Sequence, residues 1–351
     1  MTNEGRAATL LRRGVLLASA LYPVALVFVV LVLRYIGERF WLLGAIGYLP
    51  RLGFGLPLPV LVVALLVLRS WRLLALQLVS LLLLVFPVMG FVIPSSPSAG
   101  PGPVLRIMSY NINSALGGGE QIAQEIEALS PDVVVMQEIG KSGDYFAERL
   151  RARYPNIRVS TQFFLGSRYP ITPGPEPDHV SLYGTPRSPR FTEQVLDTPL
   201  GKIALYNVHP ISPREGLSAI RGRGLRREIA SGRLLAGVNA PVLRANNLLR
   251  DLQVTSIATL AARETVPVVI AGDTNLPGLS ATFRRHLSDY QDGFTEAGGG
   301  FGYTFPTNHH PWMRIDRILA SHSLRFVHFE VGSSRVSDHR YVFAELTRAA
   351  E

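Results

Sequence analysis

The 351-residue chain is 47% hydrophobic, and its mean hydropathy of +0.22 is high for a soluble domain. Its formal net charge of +9 is unevenly distributed, because residues 1–100 carry eight basic and two acidic residues, whereas the remainder carries 27 and 24. This distribution disfavours a nucleic-acid binder whose basic charge lies on its folded domain. The apolar content excludes disorder. The absence of cysteine from the sequence excludes disulfides, thiolate catalysis and cysteine-based zinc sites.

Three uncharged apolar runs predict membrane-spanning helices, at residues 14–33, 52–68 and 73–93. A run of about 20 apolar residues is long enough to cross a bilayer. A cleaved signal peptide is the alternative for the first run, although two more runs follow it and no small-residue cleavage site stands out. Residues 37–51 include Phe40, Trp41 and Tyr48, and amphipathic aromatic side chains favour the headgroup region. We therefore predict a transmembrane region over residues 1–94, with residues 37–51 at the membrane surface.

The arginines beside these runs predict a multi-pass protein of the plasma membrane with its C-terminal domain outside the cell. Basic residues favour the cytoplasmic side of a membrane. Five arginines precede the first run or separate the second from the third, whereas three lie in the opposite loop. A linker rich in proline, glycine and serine follows at residues 95–103. Because nine residues reach at most about 30 Å, we expect the domain to work close to the membrane surface.

The remainder of the chain, residues 104–347, alternates short apolar strands with helices and predicts one α/β domain. The predicted strands are 104–109, 133–136, 191–197, 202–207, 266–271, 315–319 and 341–346, and the predicted helices are 120–129 and 243–262. Ligand sites of α/β sheets gather at strand ends, where the connecting loops converge. Each polar residue at such an end is also open to a structural role in a turn or cap. Seven share this placement and predict one site: Asn111, Glu138, His209, Asp273, Asn275, Asp316 and His339.

Six short motifs resemble those of the endonuclease/exonuclease/phosphatase superfamily, which includes DNase I-like nucleases, abasic-site endonucleases, neutral sphingomyelinases and inositol polyphosphate 5-phosphatases. In chain order they are SYNIN at 109–113, QE at 137–138, NVH at 207–209, GDTN at 272–275, RIDRI at 314–318 and SDH at 337–339. The resemblance covers about residues 104–347. It implies a four-layered α/β sandwich of the DNase I-like type, two mixed β-sheets face to face with helices outside. Thr274 stands where an aromatic residue is common, a departure that affects packing rather than chemistry.

Phosphoryl transfer by such a site needs an activated water and neutralisation of the charge on the phosphoryl oxygens. Mg²⁺ (or Mn²⁺) takes oxygen ligands and keeps several waters, so Glu138 is the expected main metal ligand. Asn111 and Asp338 are expected to complete or support its coordination sphere. The pair His309-His310 offers an alternative transition-metal site, although adjacent residues in a loop rarely converge on one ion.

The acid–base residues follow from the same chemistry. His339 is basic while readily neutral near pH 7, so we expect it to act as the general base. A base of this kind needs an orienting carboxylate, and by resemblance that carboxylate is Asp316. Asp273 is expected to align or deprotonate the attacking water. Asn275 and His209 are expected to donate hydrogen bonds to the phosphoryl oxygens as their charge grows.

An arginine-rich stretch at residues 213–234 holds six arginines against two glutamates. One interpretation is a solvated loop. The other is a flap that attracts anionic substrates, either a nucleic-acid backbone or lipid headgroups. On the second interpretation the candidate substrate-binding residues are Arg221, Arg223, Arg226 and Arg227.

The membrane anchor favours a substrate in the same bilayer, because a short tether raises the effective concentration there. Three spans and an external domain of this family resemble the actinobacterial glycopeptide-resistance membrane proteins of the VanJ type, which implies action on a polyprenyl pyrophosphate carrier. We therefore predict a metal-dependent phosphohydrolase of a lipid-linked phosphoanhydride or phosphodiester, with the bilayer and this lipid as partners and no obligate protein partner. The alternatives are a nuclease acting on DNA or RNA, a sphingomyelinase-like phospholipase C and a non-enzymatic membrane scaffold.

Overall fold

The computed structural model describes residues 3–95, 97, 100, 102–219, 230 and 241–349. Within them, the helices are α1 Asn3–Tyr35, α2 Trp41–Gly47, α3 Pro57–Val67, α4 Trp71–Leu83, α5 Gly119–Leu129, α6 Gly143–Arg149, α7 Arg214–Ala219, α8 Pro241–Ala261, α9 Ala281–His286 and α10 Gly293–Ala297. The strands are β1 Leu105–Asn111, β2 Val133–Gln137, β3 Asn156–Ser160, β4 Phe163–Ser167, β5 Ile171–Pro173, β6 Val180–Leu182, β7 Thr185–Arg187, β8 Phe191–Thr198, β9 Gly201–Val208, β10 Val268–Asp273, β11 Gln291–Asp292, β12 Asp316–Ala320, β13 Leu324–Val331 and β14 Val342–Arg348.

Among the residues that the structure describes, two helices are long and apolar enough to cross a membrane, Arg6–Tyr35 and Trp71–Val88. A third span is formed only if the bent pair Trp41–Gly47 and Arg51–Val67, which turns through 94°, is counted as one. The predicted run 52–68 therefore does not form a continuous α-helix. Its α-helix starts at a proline, Pro57, and has 11 residues, which rise about 16 Å and fall short of the hydrocarbon core.

The predicted run 73–93 also differs from the observed helix, which ends at Val88 after a short wider turn that includes Pro87. Gly90 then adopts a left-handed backbone conformation with φ +77°, which turns the chain out of the helical path. Val92 pairs with Gly300 of the C-terminal domain as an isolated bridge. The end of this run is therefore a contact with the C-terminal domain rather than part of a span.

The described strands of the C-terminal domain form two mixed six-stranded sheets, in the orders β13-β14-β1-β2-β4-β3 and β11-β12-β10-β9-β8-β5. Their inner faces share one core that includes Ile107, Val135, Leu205, Val269 and Ile318. Helices α5 and α6 cover the outer face of the first sheet, and α8 covers the outer face of the second. The predicted four-layered sandwich is confirmed.

The pairing of the strands brings several strand ends to one edge of the sandwich. β1 runs parallel to β2, with Asn111 opposite Gln137. In the second sheet β9 runs parallel to β10, and β10 is antiparallel to β12, with Asp273 opposite Asp316. Gly272 has φ +151°, and a Cβ at this position would collide with the Val208 carbonyl oxygen. Only glycine therefore lets β10 run this close to β9 immediately before Asp273.

We define the juxtamembrane segment as residues 36–56, between α1 and α3. It packs on the C-terminal domain, and its predicted place at the membrane surface stays a prediction. Trp41 is 1% exposed, because it packs against Leu243 of α8. The carboxylate of Glu38 accepts hydrogen bonds from the backbone N–H groups of Ala281 and Thr282 at the start of α9.

Candidate active site

The seven residues predicted to form one site lie in a single network of hydrogen bonds and close ionisable pairs. Asn111 ends β1 and Glu138 follows β2, whereas Asp273 ends β10 and Asp316 begins β12. Each of these positions is a strand end, so the rigid sheets hold the side chains while the loops leave space between them.

Asn111 joins the two sheets at the centre of this network. Its Nδ2 donates to Glu138 Oε1 at 3.3 Å and to Asp273 Oδ2 at 3.1 Å. Its Oδ1 accepts from the Asn113 backbone N–H at 3.1 Å. In this arrangement the oxygen of Asn111 faces its own loop, so the side chain holds the two carboxylates together. It supports the candidate metal ligand Glu138 instead of offering an oxygen beside it.

His209 faces the same two carboxylates from β9. Its Nδ1 lies 2.7 Å from Gln162 Oε1, and since an amide oxygen can only accept, Nδ1 carries a proton. Its Nε2 lies 3.2 Å from Glu138 Oε1 and 3.6 Å from Asp273 Oδ2. The hydrogen bond from His209, against the opposing effect of burial, lowers the pKa of Glu138 to about 2. Glu138 is therefore a charged carboxylate at any physiological pH.

His339 and Asp316 form a buried pair in which His339 Nδ1 lies 2.9 Å from Asp316 Oδ2. The Nε2 of His339 lies 3.7 Å from Asp273 Oδ2, and the Phe305 ring packs 4.6 Å from the imidazole, measured between centroids. Burial acts to lower the pKa of His339, but the Asp316 and Asp273 carboxylates raise it to about 10. A carboxylate faces each of its ring nitrogens, which favours the charged form of the imidazole, and the role of His339 as general base stays a prediction.

Asp273 is buried at the meeting point of these side chains. Burial raises the pKa of its carboxyl, and Asp316 adds to this effect while His339 and His209 oppose it. Its Oδ1 accepts from the Asn275 backbone N–H at 2.9 Å. The side chain is therefore fixed on both oxygens, with Asn111 on the other one.

The donor set fits a divalent cation. Three carboxylates (Glu138, Asp273 and Asp316) converge in a mostly buried space, and the buried Nε2 of His209 faces two of them, Glu138 and Asp273. Atoms of Asp273, Asp316 and His339 also lie within 4.8 Å of one another. However, Asp316 and His339 already use their facing atoms on each other. Glu138, charged and partly exposed, is the better ligand for an oxygen-seeking metal.

Asn275 has a left-handed backbone with φ +51°, and its Nδ2 donates to the Pro210 carbonyl at 3.0 Å. A second N–H of the amide is left for a phosphoryl oxygen. The carboxylate of Asp338 lies 3.5 Å from Arg214 Nη2. Its part in the metal site stays a prediction. The candidate substrate-binding residues of the arginine-rich stretch, Arg221, Arg223, Arg226 and Arg227, lie outside the described residues.

Two residues of the site were missed by sequence analysis. Gln162, in the turn between β3 and β4, fixes the tautomer of His209, but a polar residue in a turn gives no signal of such a role. Tyr48, in the juxtamembrane segment, donates from its hydroxyl to the Asn275 carbonyl at 2.9 Å. The aromatic residues around it indicated only a preference for an interface.

A model of the endonuclease/exonuclease/phosphatase family matches residues 108–339, more than half of the chain. A search of curated proteins finds no match.

Solved structures similar to the chain include an endonuclease/exonuclease/phosphatase from Beutenbergia cavernae DSM 12333, with 19% identity, coverage of 70% of this chain and 72% of that chain, and a TM-score of 0.49. Truncated TDP2 of Caenorhabditis elegans has 19% identity, coverage of 70% and 98%, and a TM-score of 0.47. The mannosyl-6-phosphatase of Bacteroides thetaiotaomicron VPI-5482 has 16% identity, coverage of 69% and 99%, and a TM-score of 0.46. On the match to the family model, the chain belongs to the endonuclease/exonuclease/phosphatase family.

Proposed function

We propose that this protein is a membrane-anchored, divalent-metal-dependent phosphohydrolase that cleaves a lipid-linked phosphoanhydride or phosphodiester, as the resemblance to VanJ-type proteins implies. One observation carries the choice of a lipid. The loop at residues 272–278, which bears Asp273 and Asn275, packs directly against the juxtamembrane segment through Tyr48. A site at this end of the apolar helices favours a substrate that resides in the same bilayer.

In this proposal Glu138, supported by Asn111, would hold Mg²⁺ or Mn²⁺, and the bound ion would supply neutralisation of the charge on the phosphoryl oxygens. Asp316 orients the imidazole of His339 through the 2.9 Å contact with Nδ1, so that Nε2 faces the reacting group. The 3.7 Å separation of His339 Nε2 from Asp273 Oδ2 places a donor and an acceptor side by side. Asp273 receives the proton of the attacking water, and His339 donates a hydrogen bond to the phosphoryl oxygen on which charge develops.

Asn275 supports the same step by donating a hydrogen bond to another phosphoryl oxygen, and His209 does so from Nε2 in its doubly protonated form, since its Nδ1 proton is used on Gln162. The neutral amide N–H of Asn275 is available, because the side chain uses one N–H on the Pro210 carbonyl. Donors that are already fixed in place need no rearrangement as the charge develops, which is why such groups accelerate the reaction. We place this activity on the outer surface of the plasma membrane, from the balance of arginines in the loops.

The test uses the full chain reconstituted in phospholipid vesicles that contain a long-chain polyprenyl pyrophosphate and Mg²⁺. We expect release of phosphate at a rate that follows the mole fraction of this lipid in the bilayer, and loss of that release in Glu138→Ala. Parallel reactions contain sphingomyelin vesicles or plasmid DNA. Cleavage of DNA without release of phosphate from the lipid would contradict the proposal and support the nuclease alternative, and cleavage of sphingomyelin alone would support the phospholipase alternative.

A further inference from the structure

Tyr48 links the juxtamembrane segment to the loop at residues 272–278. The side chain is 5% exposed, and its hydroxyl donates to the backbone carbonyl of Asn275 at 2.9 Å. Its own carbonyl accepts from Trp312 Nε1 at 3.1 Å. The guanidinium of Arg250 lies 5.6 Å from the centre of its ring. The tyrosine is therefore fixed by the C-terminal domain on several sides, and its hydroxyl proton is directed at one carbonyl of the loop.

The residue that accepts this hydrogen bond has an uncommon backbone. Asn275 has φ +51°, a left-handed conformation that is uncommon outside glycine, although asparagine adopts it more readily than most residues. Two bonds come from the C-terminal domain itself, from the Asn275 N–H to Asp273 and from its amide to Pro210. The bond from Tyr48 comes from the N-terminal region. Loss of that bond would leave the Asn275 carbonyl without this partner in a residue that is 4% exposed, which favours a rearrangement of the loop.

The rest of the loop also packs against the juxtamembrane segment. A Cβ placed on Gly278 would lie 3.0 Å from Arg51 Nη1, and one on Gly47 would lie 3.8 Å from Pro277 Cγ. Residues 47–51 therefore pack closely beneath residues 275–278. A change in this packing is transmitted to Asp273 along two residues of backbone and the bond between its Oδ1 and the Asn275 N–H.

We propose that Tyr48 is a positioning residue for the phosphohydrolase reaction, whose hydroxyl holds the backbone of Asn275 and with it the side chains of Asp273 and Asn275. The N-terminal region then contributes to turnover as well as to location at the membrane. This positioning role rests on the proposed function in one respect, that the reaction is phosphohydrolysis. Small displacements of reacting groups lower the rate of the chemical step more than they weaken the binding of substrate. We therefore expect the effect of Tyr48 in kcat rather than in KM.

The test compares Tyr48→Phe with a matched control, Tyr303→Phe, both as full chains in detergent micelles. Tyr303 likewise donates from its hydroxyl to a backbone carbonyl of the N-terminal region, that of Met89, at 2.9 Å, rather than to a carbonyl of the loop at 272–278. Two quantities are measured: hydrolysis of farnesyl pyrophosphate with Mn²⁺, and hydrogen–deuterium exchange of the peptide containing residues 272–278. For Tyr48→Phe we expect kcat to fall about tenfold with KM within about twofold, and exchange of the peptide to accelerate. Tyr303→Phe should change neither.

Three results would overturn the positioning role: equal losses of kcat in the two variants, an unchanged kcat in Tyr48→Phe, or unchanged exchange of residues 272–278 in Tyr48→Phe. Thermal unfolding of each variant shows whether a loss of activity reflects a loss of folded protein. A wild-type chain that releases no phosphate from farnesyl pyrophosphate would instead contradict the proposed function. In that case the positioning role is decided by hydrogen–deuterium exchange alone, by comparing the exchange rate of the loop peptide in Tyr48→Phe with that in Tyr303→Phe.

Discussion

His339 Nδ1 lies 2.9 Å from Asp316 Oδ2, and both side chains are buried. Because a carboxylate accepts, Nδ1 carries a proton and Nε2 is turned towards Asp273. The same carboxylates, against the effect of burial, raise the pKa of His339 to about 10. The pair therefore fixes the direction of the imidazole and favours its charged form before a substrate binds, which is the kind of preorganisation that lowers the barrier to reaction.

Asp316→Asn tests this pair. We expect kcat to fall about 10³-fold, because the imidazole loses its orienting carboxylate. The pKa of His339 falls in the variant, since Asp316 no longer stabilises the imidazolium while burial still disfavours it. If His339 acts as a cation, the alkaline decline of kcat/KM then moves to lower pH. Steady-state rates over a pH series measure both effects, with the exposed Asp197→Asn as a control. An activity that rises steadily through pH 10 in the wild type would contradict a cationic role.

Glu138→Gln tests the metal site with little change in shape. The glutamine amide keeps an oxygen towards His209 but lacks the negative charge that Mg²⁺ prefers in a ligand. We therefore expect the affinity for Mn²⁺ to fall at least tenfold. Turnover at limiting metal concentration should fall with it. Mn²⁺ binding is measured by electron paramagnetic resonance on the full chain, and Glu330→Gln, a partly exposed carboxylate away from the cluster, is the control. Undiminished turnover at limiting Mg²⁺ would rule out Glu138 as the main ligand.

The strand ends of the site were predictable from the sequence because each apolar run stops at a polar residue. β10 shows where this signal loses accuracy. The run was predicted to end at Ala271, yet the strand continues to Asp273. Gly272 suggests a turn in the sequence, but its φ of +151° and its contact with Val208 keep it within the sheet. A glycine required for close approach of two strands and a glycine required for a turn look alike until the neighbouring strand is known.

The juxtamembrane contacts could not be predicted for a different reason. Trp41 packs against Leu243, about two hundred residues later in the chain, and hydrophobic periodicity reports only which side of an element is apolar. An aromatic side chain that prefers an interface is satisfied equally by lipid headgroups or by a half-apolar protein surface. The partner of Tyr48 is a backbone carbonyl, that of Asn275, and a carbonyl has no signature in the sequence.

Asp292→Asn tests the ion pairs that hold the start of β12 in place. Asp316 is the first residue of that strand, so these ion pairs also hold Asp316. Asp292 lies between Arg314, at 2.7 Å, and the fully buried Arg317, the two arginines that flank Asp316 in the RIDRI motif. Loss of its charge leaves these guanidinium groups without their carboxylate, and we expect the free energy of unfolding to fall by about 3 kcal/mol. Thermal unfolding of the full chain in detergent measures the loss. The exposed Asp197→Asn should unfold like the wild type, and a similar result for Asp292→Asn would contradict the assignment.

The same residue predicts part of the dependence of stability on pH. Burial acts to raise the pKa of Asp292, but Arg314 and Arg317 lower it below its ordinary value of 3.8. A carboxyl with a lowered pKa stabilises the folded state fully above its unfolded pKa, and this contribution is lost as the pH falls through the folded value. The wild type should therefore lose more thermal stability than Asp292→Asn between pH 5 and pH 3. Parallel losses in the two proteins would assign the acid sensitivity to other carboxyls.

The orientation of the protein in the membrane is tested by single cysteines, since the sequence has none of its own. Ser218 is an exposed residue of α7 in the C-terminal domain. If that domain lies outside the cell, as the arginine balance predicts, Ser218→Cys should react with a membrane-impermeant thiol reagent in intact cells. Labelling is read by the mass of the purified chain.

A second cysteine gives the opposite expectation and serves as the control. Ser70 lies between α3 and α4, in the turn that the arginine balance predicts to be cytoplasmic, so Ser70→Cys should be labelled only after the cells are permeabilised. Both variants must also hydrolyse farnesyl pyrophosphate like the wild type, which shows that each is folded. Labelling of Ser70→Cys but not Ser218→Cys in intact cells would place the active site in the cytoplasm. The proposal of an external lipid carrier would then be wrong, because the site would face nucleotides and soluble phosphoesters instead.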